Sequence, residues 1–384
     1  MRKLYEKWMT NWETRLTTAD TNRIVRPFEW GIEWTRTWPF VNGNYPQSAE
    51  AYERYLHDLN ETIVGHSDEF FSYAVPTDFR LERRKLQLFA TRSRPQDEDR
   101  LKDKEGDFLR FTSPVRTPYP ENNLMNARWF QAKEKNETRN RTKNGTRNKR
   151  AVVVLPHWNS DAISHNSICT ALNWFGISAL RMSPPYHDIR RPSELTRADY
   201  AVSSNVARTI DATRQAVIDL RCCLDWLAQQ GYTQFGVMGT SLGSCYAFLA
   251  SAHDERLSVN VFNHASTYFA DVVWTGQSTR HIRESLESTI DLESLRRAWM
   301  SISPTSYVDQ FARKPKKSLV IYAKYDLTFL PEYSRKVVEE FSRRDFDFKA
   351  IELPCGHYTT GETPYKYLDG YHIVKYLVRA FGEL

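Results

Sequence analysis

The stretch that most constrains this chain is Phe235-Gly236-Val237-Met238-Gly239-Thr240-Ser241-Leu242-Gly243-Ser244. A short apolar run meets Gly-Thr-Ser-Leu-Gly, and a small-residue, helix-compatible segment from Cys245 to Ala252 follows. The pattern is strand, sharp turn, helix, with a serine at the apex. A serine hydroxyl serves as a nucleophile only if it is held clear of the backbone where a base can reach it. A strained turn achieves this, but side chains two residues to either side would collide with the neighbouring strand and helix. Glycine is therefore needed at 239 and 243. The Leu242 amide then points from a helix N-terminus toward an oxygen that becomes negative during acyl transfer. A glycine-lined turn with a surface serine would read the same in isolation, so the rest of the chain must supply partners.

Around this turn, strands and helices alternate. Ala151–Leu155 reads as a buried strand ending at Pro156-His157-Trp158-Asn159, and a helix is expected near Ile163 to Trp174. The strand Ile177 to Met182 ends in Ser183-Pro184-Pro185-Tyr186-His187-Asp188. A long helix follows, with Val206, Ile210, Val217, Leu220, Leu224 and Leu227 at helical spacing and Gly231 as its stop. After the serine turn come a strand from Leu257 to Phe262 and two more, Lys317–Tyr322 and Phe348–Leu353. The expected last helix runs from about Tyr367 to Phe381. Such alternation predicts a parallel sheet with helices on both faces, its strand carboxyl ends forming one rim. Residues 264–315 break the rhythm with helical stretches bearing Trp274 and Trp299, and read as a cap over that rim. Phe108 to Val115 and Leu124 to Ala132 read as strands joined by a Pro/Asn-rich turn.

Serine needs a general base titrating near neutrality, in practice histidine, and a carboxylate to hold the imidazole tautomer. Two later strands end in Lys324-Tyr325-Asp326 and Pro354-Cys355-Gly356-His357, on the same rim as Ser241. Asp326 could instead cap the helix that begins near Pro331, and Asp309 is an alternative carboxylate. His187, Asp188 and His264 also sit at strand tips, as pocket or structural residues.

With Gly239-Thr240-Ser241-Leu242-Gly243, Asp326 and His357 in that order, residues 108–384 resemble the α/β-hydrolase superfamily. The resemblance implies Ser241 as nucleophile, His357 as acid/base and Asp326 as its orienting carboxylate. The oxyanion hole would use the Leu242 amide and a second amide from Trp158 or Asn159, in a loop where many members carry His-Gly and further glycines. Residues 1–107 lie outside it and read as a helical, aromatic N-terminal extension. Leu4, Tyr5, Trp8, Met9, Trp12 and Leu16 share one helical face, Trp30, Trp34 and Trp38 repeat every four residues, and a second amphipathic segment spans about Ser48 to Thr62. Packing on the main domain is favoured over a membrane-surface role, because Glu6 and Glu13 interrupt the basic residues. Residues 76–107 turn polar and densely charged, as in a loop or exposed hairpin.

The expected function is a serine hydrolase acting on a carboxylic ester, with no metal or cofactor. The aromatic extension and the Trp-bearing insert suit an apolar acyl or aromatic group. A lipid-directed lipase or acyltransferase is the alternative, and a non-catalytic binding protein on the same scaffold a third reading. No nucleic-acid partner is expected. The net charge of +6 equals the balance within residues 131–150, which hold eight Lys/Arg and two Glu, so a single basic loop with Asn-x-Thr sequons at Asn136, Asn140 and Asn144 accounts for it. Five scattered cysteines fit free thiols better than a disulfide framework or a zinc site. No run approaches the roughly 18 apolar residues of a membrane span. No secretory signal is seen either, so the expected location is cytoplasmic. Oligomeric state is not readable.

Overall fold

A computed structural model describes residues 2–20, 22–87, 104–133 and 149–384. Most of the basic 131–150 loop, with its three sequons, lies outside them. Nine strands form one sheet in the order β1-β2-β3-β5-β4-β6-β7-β8-β9. These are β1 Arg80–Lys85, β2 Glu105–Thr112, β3 Leu124–Phe130, β4 Arg150–Leu155, β5 Ile177–Met182, β6 Gln234–Thr240, β7 Leu257–Asn263, β8 Lys317–Ala323 and β9 Phe348–Leu353. The first three are antiparallel to their neighbours, and from β5 to β9 every pairing is parallel. The mostly parallel sheet expected from the alternation is thus present. The sheet begins earlier than expected, however. Strand β1 pairs with β2 from Arg80–Arg110 to Lys85–Glu105, so Arg80–Lys85 and Glu105–Asp107 belong to the sheet and not to an extension beside it. Charge density concealed this strand, because β1 is an edge strand whose side chains are largely solvated.

Strand β4 shows why both faces need helices. Val152 and Val154 point to one face, and Ala151, Val153 and Leu155 to the other; all five are buried. Helices α1 (Arg2–Thr18), α4 (Asn166–Trp174) and α12 (Tyr365–Gly382) cover the first face, contributing Met9, Leu172, Ile373 and Leu377. The opposite face carries α5 (Val206–Gln229), α6 (Leu242–Ala252) and α11 (Pro331–Arg343). It also takes α2 (Ala49–Gly65) and the one-turn α3 (Ser67–Phe70). The segment before β1 therefore straddles the sheet, α1 on one side and residues 28–71 on the other.

Within that segment the four-residue tryptophan spacing does not make a long helix. Residues Ile32–Thr37 form one short 3-10 helix, bounded by Gly31 at φ 69° and by Pro39. Gly31 is required there, since a Cβ would lie 2.0 Å from Asn205 Oδ1. Trp38 is buried and donates its indole N–H to Asp211 Oδ1 at 2.8 Å. In α1 the buried stripe also differs from the apolar face. Met9, Glu13 and Thr17 are buried and Tyr5 is partly so, while Leu4 and Trp8 are exposed. A buried carboxylate overrides hydropathy here because backbone amides satisfy it.

The insert between β7 and β8 is helical, as expected: α7 (Phe269–Thr275), α8 (Arg280–Leu286), α9 (Leu292–Ala298) and the short α10 (Val308–Phe311). All five cysteines are buried free thiols. Among the described residues, no helix is long and apolar enough to cross a membrane.

Candidate active site

Ser241 sits between the end of β6 and the start of α6 with φ 57° and ψ −121°, a conformation that costs about 1–3 kcal/mol for a side-chain-bearing residue. The flanking glycines make it possible. A Cβ at Gly239 would lie 2.0 Å from the Gly243 carbonyl oxygen, and one at Gly243 would lie 2.5 Å from the Leu155 oxygen and 2.6 Å from that of Pro156. The obstacles are backbone atoms, which have no rotamer to yield. The Ser241 amide donates to the Asn263 carbonyl at 2.7 Å, tying the turn to β7.

From Ser241 a chain of hydrogen bonds runs along the rim. Ser241 Oγ lies 3.0 Å from His357 Nε2, and His357 Nδ1 lies 2.9 Å from Asp326 Oδ2. The other Asp326 oxygen accepts the amides of Thr328 and Phe329, each at 2.7 Å, which holds the carboxylate in a local turn after β8. The ring of Phe329 stacks on His357 with centroids 5.3 Å apart. With Nδ1–H given to the carboxylate, Nε2 is left to accept the serine proton. Burial opposes charge on Asp326, but the His357 charge and the hydrogen bonds from both histidines outweigh it and hold the carboxyl far below its ordinary range. Burial also opposes charge on His357. The Asp326 charge and hydrogen bond, with a contribution from Glu13, reverse that and raise the imidazole pKa above its usual value.

His264, one of the strand-tip residues left open by the sequence, joins this constellation. Its Nδ1 donates to the same Asp326 Oδ2 at 3.0 Å, and its ring centroid is 4.5 Å from that of His357. Burial, then the His357 charge, push its pKa down. His264, Asp326 and His357 are the one group among the described residues whose side chains could share a metal ion. Their facing atoms are already joined by the hydrogen bonds just described.

Other expectations separate here. Asp309 is exposed and paired with Arg344, so it does not compete with Asp326. His187 and Asp188 are buried and structural: His187 donates Nδ1–H to the Pro185 carbonyl at 2.8 Å, and Asp188 pairs with Arg181. The Asn159 amide, one of the two candidates for the second oxyanion donor, is already committed to His187 Nε2 at 3.0 Å. The amides of Trp158 and Leu242 carry no such internal bond among the described residues, and both residues line the cavity over Ser241. That cavity has a volume of about 1120 Å³. Neither insert tryptophan lines it. Trp299 is wholly buried and donates to the Val206 carbonyl at 3.1 Å, while Trp274 lies against Arg283. The early tryptophans are also absent from the lining. Its apolar wall comes instead from Trp158, Phe269, Val272, Phe329 and, further out between α4 and α12, Trp174 and Tyr367.

Comparison with known proteins agrees with this architecture. Residues 139–338 match the model of a family described as "Alpha/beta hydrolase domain containing 18". Among solved structures, an acylaminoacyl peptidase of Pyrococcus horikoshii superposes with a TM-score of 0.53 at 10% identity, covering 76% of this chain and 44% of the peptidase. The chain thus spans less than half of that protein's length, and at this identity the likeness is one of fold. An esterase of Pyrococcus furiosus gives a TM-score of 0.49 at 15% identity, with 78% of this chain and 98% of the esterase covered. No curated protein matches in sequence.

Proposed function

The chain belongs to the Alpha/beta hydrolase domain containing 18 family, and we propose that it is a serine hydrolase cleaving a carboxylic ester through an acyl-enzyme. The observation that carries this reading is the unbroken relay from Ser241 Oγ through His357 to Asp326.

In the first half-reaction Ser241 Oγ attacks the carbonyl carbon while His357 Nε2 takes the hydroxyl proton. Asp326 holds the tautomer and stabilises the imidazolium that results. The oxyanion accepts from the Leu242 amide, at the N-terminus of α6, and from the Trp158 amide. Each such donor is worth about 10²–10³ in kcat. His357 then gives its proton to the leaving alkoxide. In the second half-reaction it activates water, which attacks the acyl carbon and releases the acid, restoring Ser241 Oγ–H.

Substrate preference follows from the cavity wall, whose apolar residues suit an apolar acyl or aromatic group. A lipid-directed hydrolase or acyltransferase is the second reading. It is favoured by the outer cavity, which opens between α4 and α12 onto exposed Trp174, Tyr367 and Tyr371 beside Lys366 and Lys375. Both readings meet one experiment. Wild type should hydrolyse p-nitrophenyl esters and be labelled by a fluorophosphonate, and Ser241→Ala should lose both, with kcat down about a millionfold. Labelling that survives at another residue refutes the assignment. A steep preference for long acyl chains with activation by vesicles would select the lipid reading.

A further inference from the structure

The loop that carries His357 is short, yet it must hold an imidazole within hydrogen-bonding reach of Ser241. Residues 354–358 form an irregular turn between β9 and a one-turn 3-10 helix, Thr359–Gly361. Their support comes from α1. Tyr5, Met9 and Glu13 fall four residues apart on one helical face, and all three touch this loop. The Tyr5 hydroxyl donates to the Pro354 carbonyl, and Met9 Sδ accepts from Thr359 Oγ1 at 3.5 Å. Glu13 makes the central contact. Its Oε1 accepts the Tyr358 amide at 2.8 Å and its Oε2 accepts the Thr359 amide at 2.9 Å. Its side chain is wholly buried against Gly356, where a Cβ would lie 2.4 Å from the Glu13 carboxyl carbon.

We propose that Glu13 is a positioning residue of the active site, its carboxylate gripping the two amides that follow His357 so that the imidazole stays in line with Ser241. The inference rests on the hydrolase reading above.

Several features of the geometry exceed what packing needs. A buried carboxylate is costly unless its oxygens are satisfied, and these are satisfied by amides adjacent to His357 and not by a cation. Gly356 is needed because any larger residue would displace the carboxylate. The charged and titratable groups facing His357 come from three elements: Asp326 after β8, His264 after β7 and Glu13 from α1. Arg23 acts at one remove, 3.3 Å from the Tyr358 hydroxyl. Glu13 therefore supplies a second negative charge that favours the imidazolium, in addition to holding the loop. Burial, only partly opposed by its two amide bonds, raises the carboxyl pKa of Glu13 itself.

The test compares full-length wild type with Glu13→Gln and Glu13→Ala, both checked for folding by thermal melting. Glutamine keeps the volume but removes the charge and turns an NH₂ toward one amide donor. Hydrogen bonds to a buried charge are worth enough that kcat should fall roughly ten- to hundredfold with KM little changed. The acid limb of the kcat/KM profile should move to lower pH, because a negative charge facing His357 is gone. Loss of packing alone would not move that limb. If the alanine variant does not fold, Gly356→Ala, which pushes Glu13 aside from the opposite direction, should show the same drop. Folded Glu13→Gln with wild-type turnover and an unmoved acid limb overturns the inference. Wild type that no fluorophosphonate labels at Ser241 sinks the hydrolase reading and this inference with it. Labelled wild type with indifferent variants sinks only the inference.

Discussion

Ser241 is supported by its own neighbourhood: Gly239 and Gly243 lie two residues away, and the Asn263 carbonyl on the adjacent strand takes its amide. His357 is supported by Glu13, a contact that spans 345 positions to Tyr358. The first support is steric and made of backbone; the second is electrostatic and made of one side chain. A steric support fails all at once when a methyl is added. A side-chain grip weakens by degrees. The same reaction thus depends on two kinds of order, one set by local sequence and one by the tertiary fold.

Three substitutions probe this contrast. The largest effect is expected at Asp326, where local turn and long-range relay meet. Asp326→Asn should lower kcat by about 10⁴ by favouring the wrong imidazole tautomer, measured as p-nitrophenyl ester turnover. Near-wild-type turnover would mean that His357 needs no carboxylate. Next comes Gly243→Ala, which sets a Cβ against the Leu155 and Pro156 carbonyls. Overpacking of this kind costs about 1–3 kcal/mol, read as a lowered melting temperature together with lost activity. An unshifted melt would show the serine turn to be softer than its geometry indicates.

The smallest effect on turnover is expected at Asp369, on α12. Its two oxygens accept from Asn263 Nδ2 at 3.1 and 3.0 Å, and Asn263 in turn receives the Ser241 amide. Burial pushes the Asp369 pKa up to about 7. The folded state therefore holds a proton that the unfolded chain releases near pH 4, and folding stability falls as pH rises from about 4 to 7. Asp369→Asn should flatten that slope, seen as melting temperatures converging between acidic and neutral buffer. An unchanged slope would place the titration elsewhere. A flattened one would show that the serine end, too, has a distant tie.

What could be read from the chain follows the same division. The serine turn, the alternating strands and the strand-end positions of Asp326 and His357 were legible because each is a local pattern with a fixed period or spacing. Strand β1 was legible only as one of two alternatives, a loop or an exposed hairpin, because an edge strand carrying Arg80, Glu82, Arg83, Arg84 and Lys85 has no apolar alternation to display. The Trp-bearing insert suits an apolar group by composition, but tryptophan content says nothing about direction, and Trp299 is buried with its indole N–H on the Val206 carbonyl. The amides of Asn159 and Trp158 read alike in the sequence, but in the fold His187 Nε2 accepts that of Asn159. His264 was seen as a strand-tip residue, but its bond to Asp326 depends on how far β7 and β8 extend at the rim. Glu13 reads in the sequence only as an acidic residue that interrupts the basic ones of the first helix, with nothing to mark it as a partner of His357. Only the fold supplies the amides of Tyr358 and Thr359 that its buried carboxylate accepts.

The grip of α1 on residues 354–359 also has a consequence for biosynthesis. Helix α1 leaves the ribosome long before its binding surface exists, since the contact from Glu13 to Tyr358 spans 345 positions. Until that loop and α12 are made, Met9 and Trp12 lack their final covering. The nascent chain must tolerate that exposure, and on the reading proposed for Glu13 the imidazole of His357 is held in line only once α1 has met this loop.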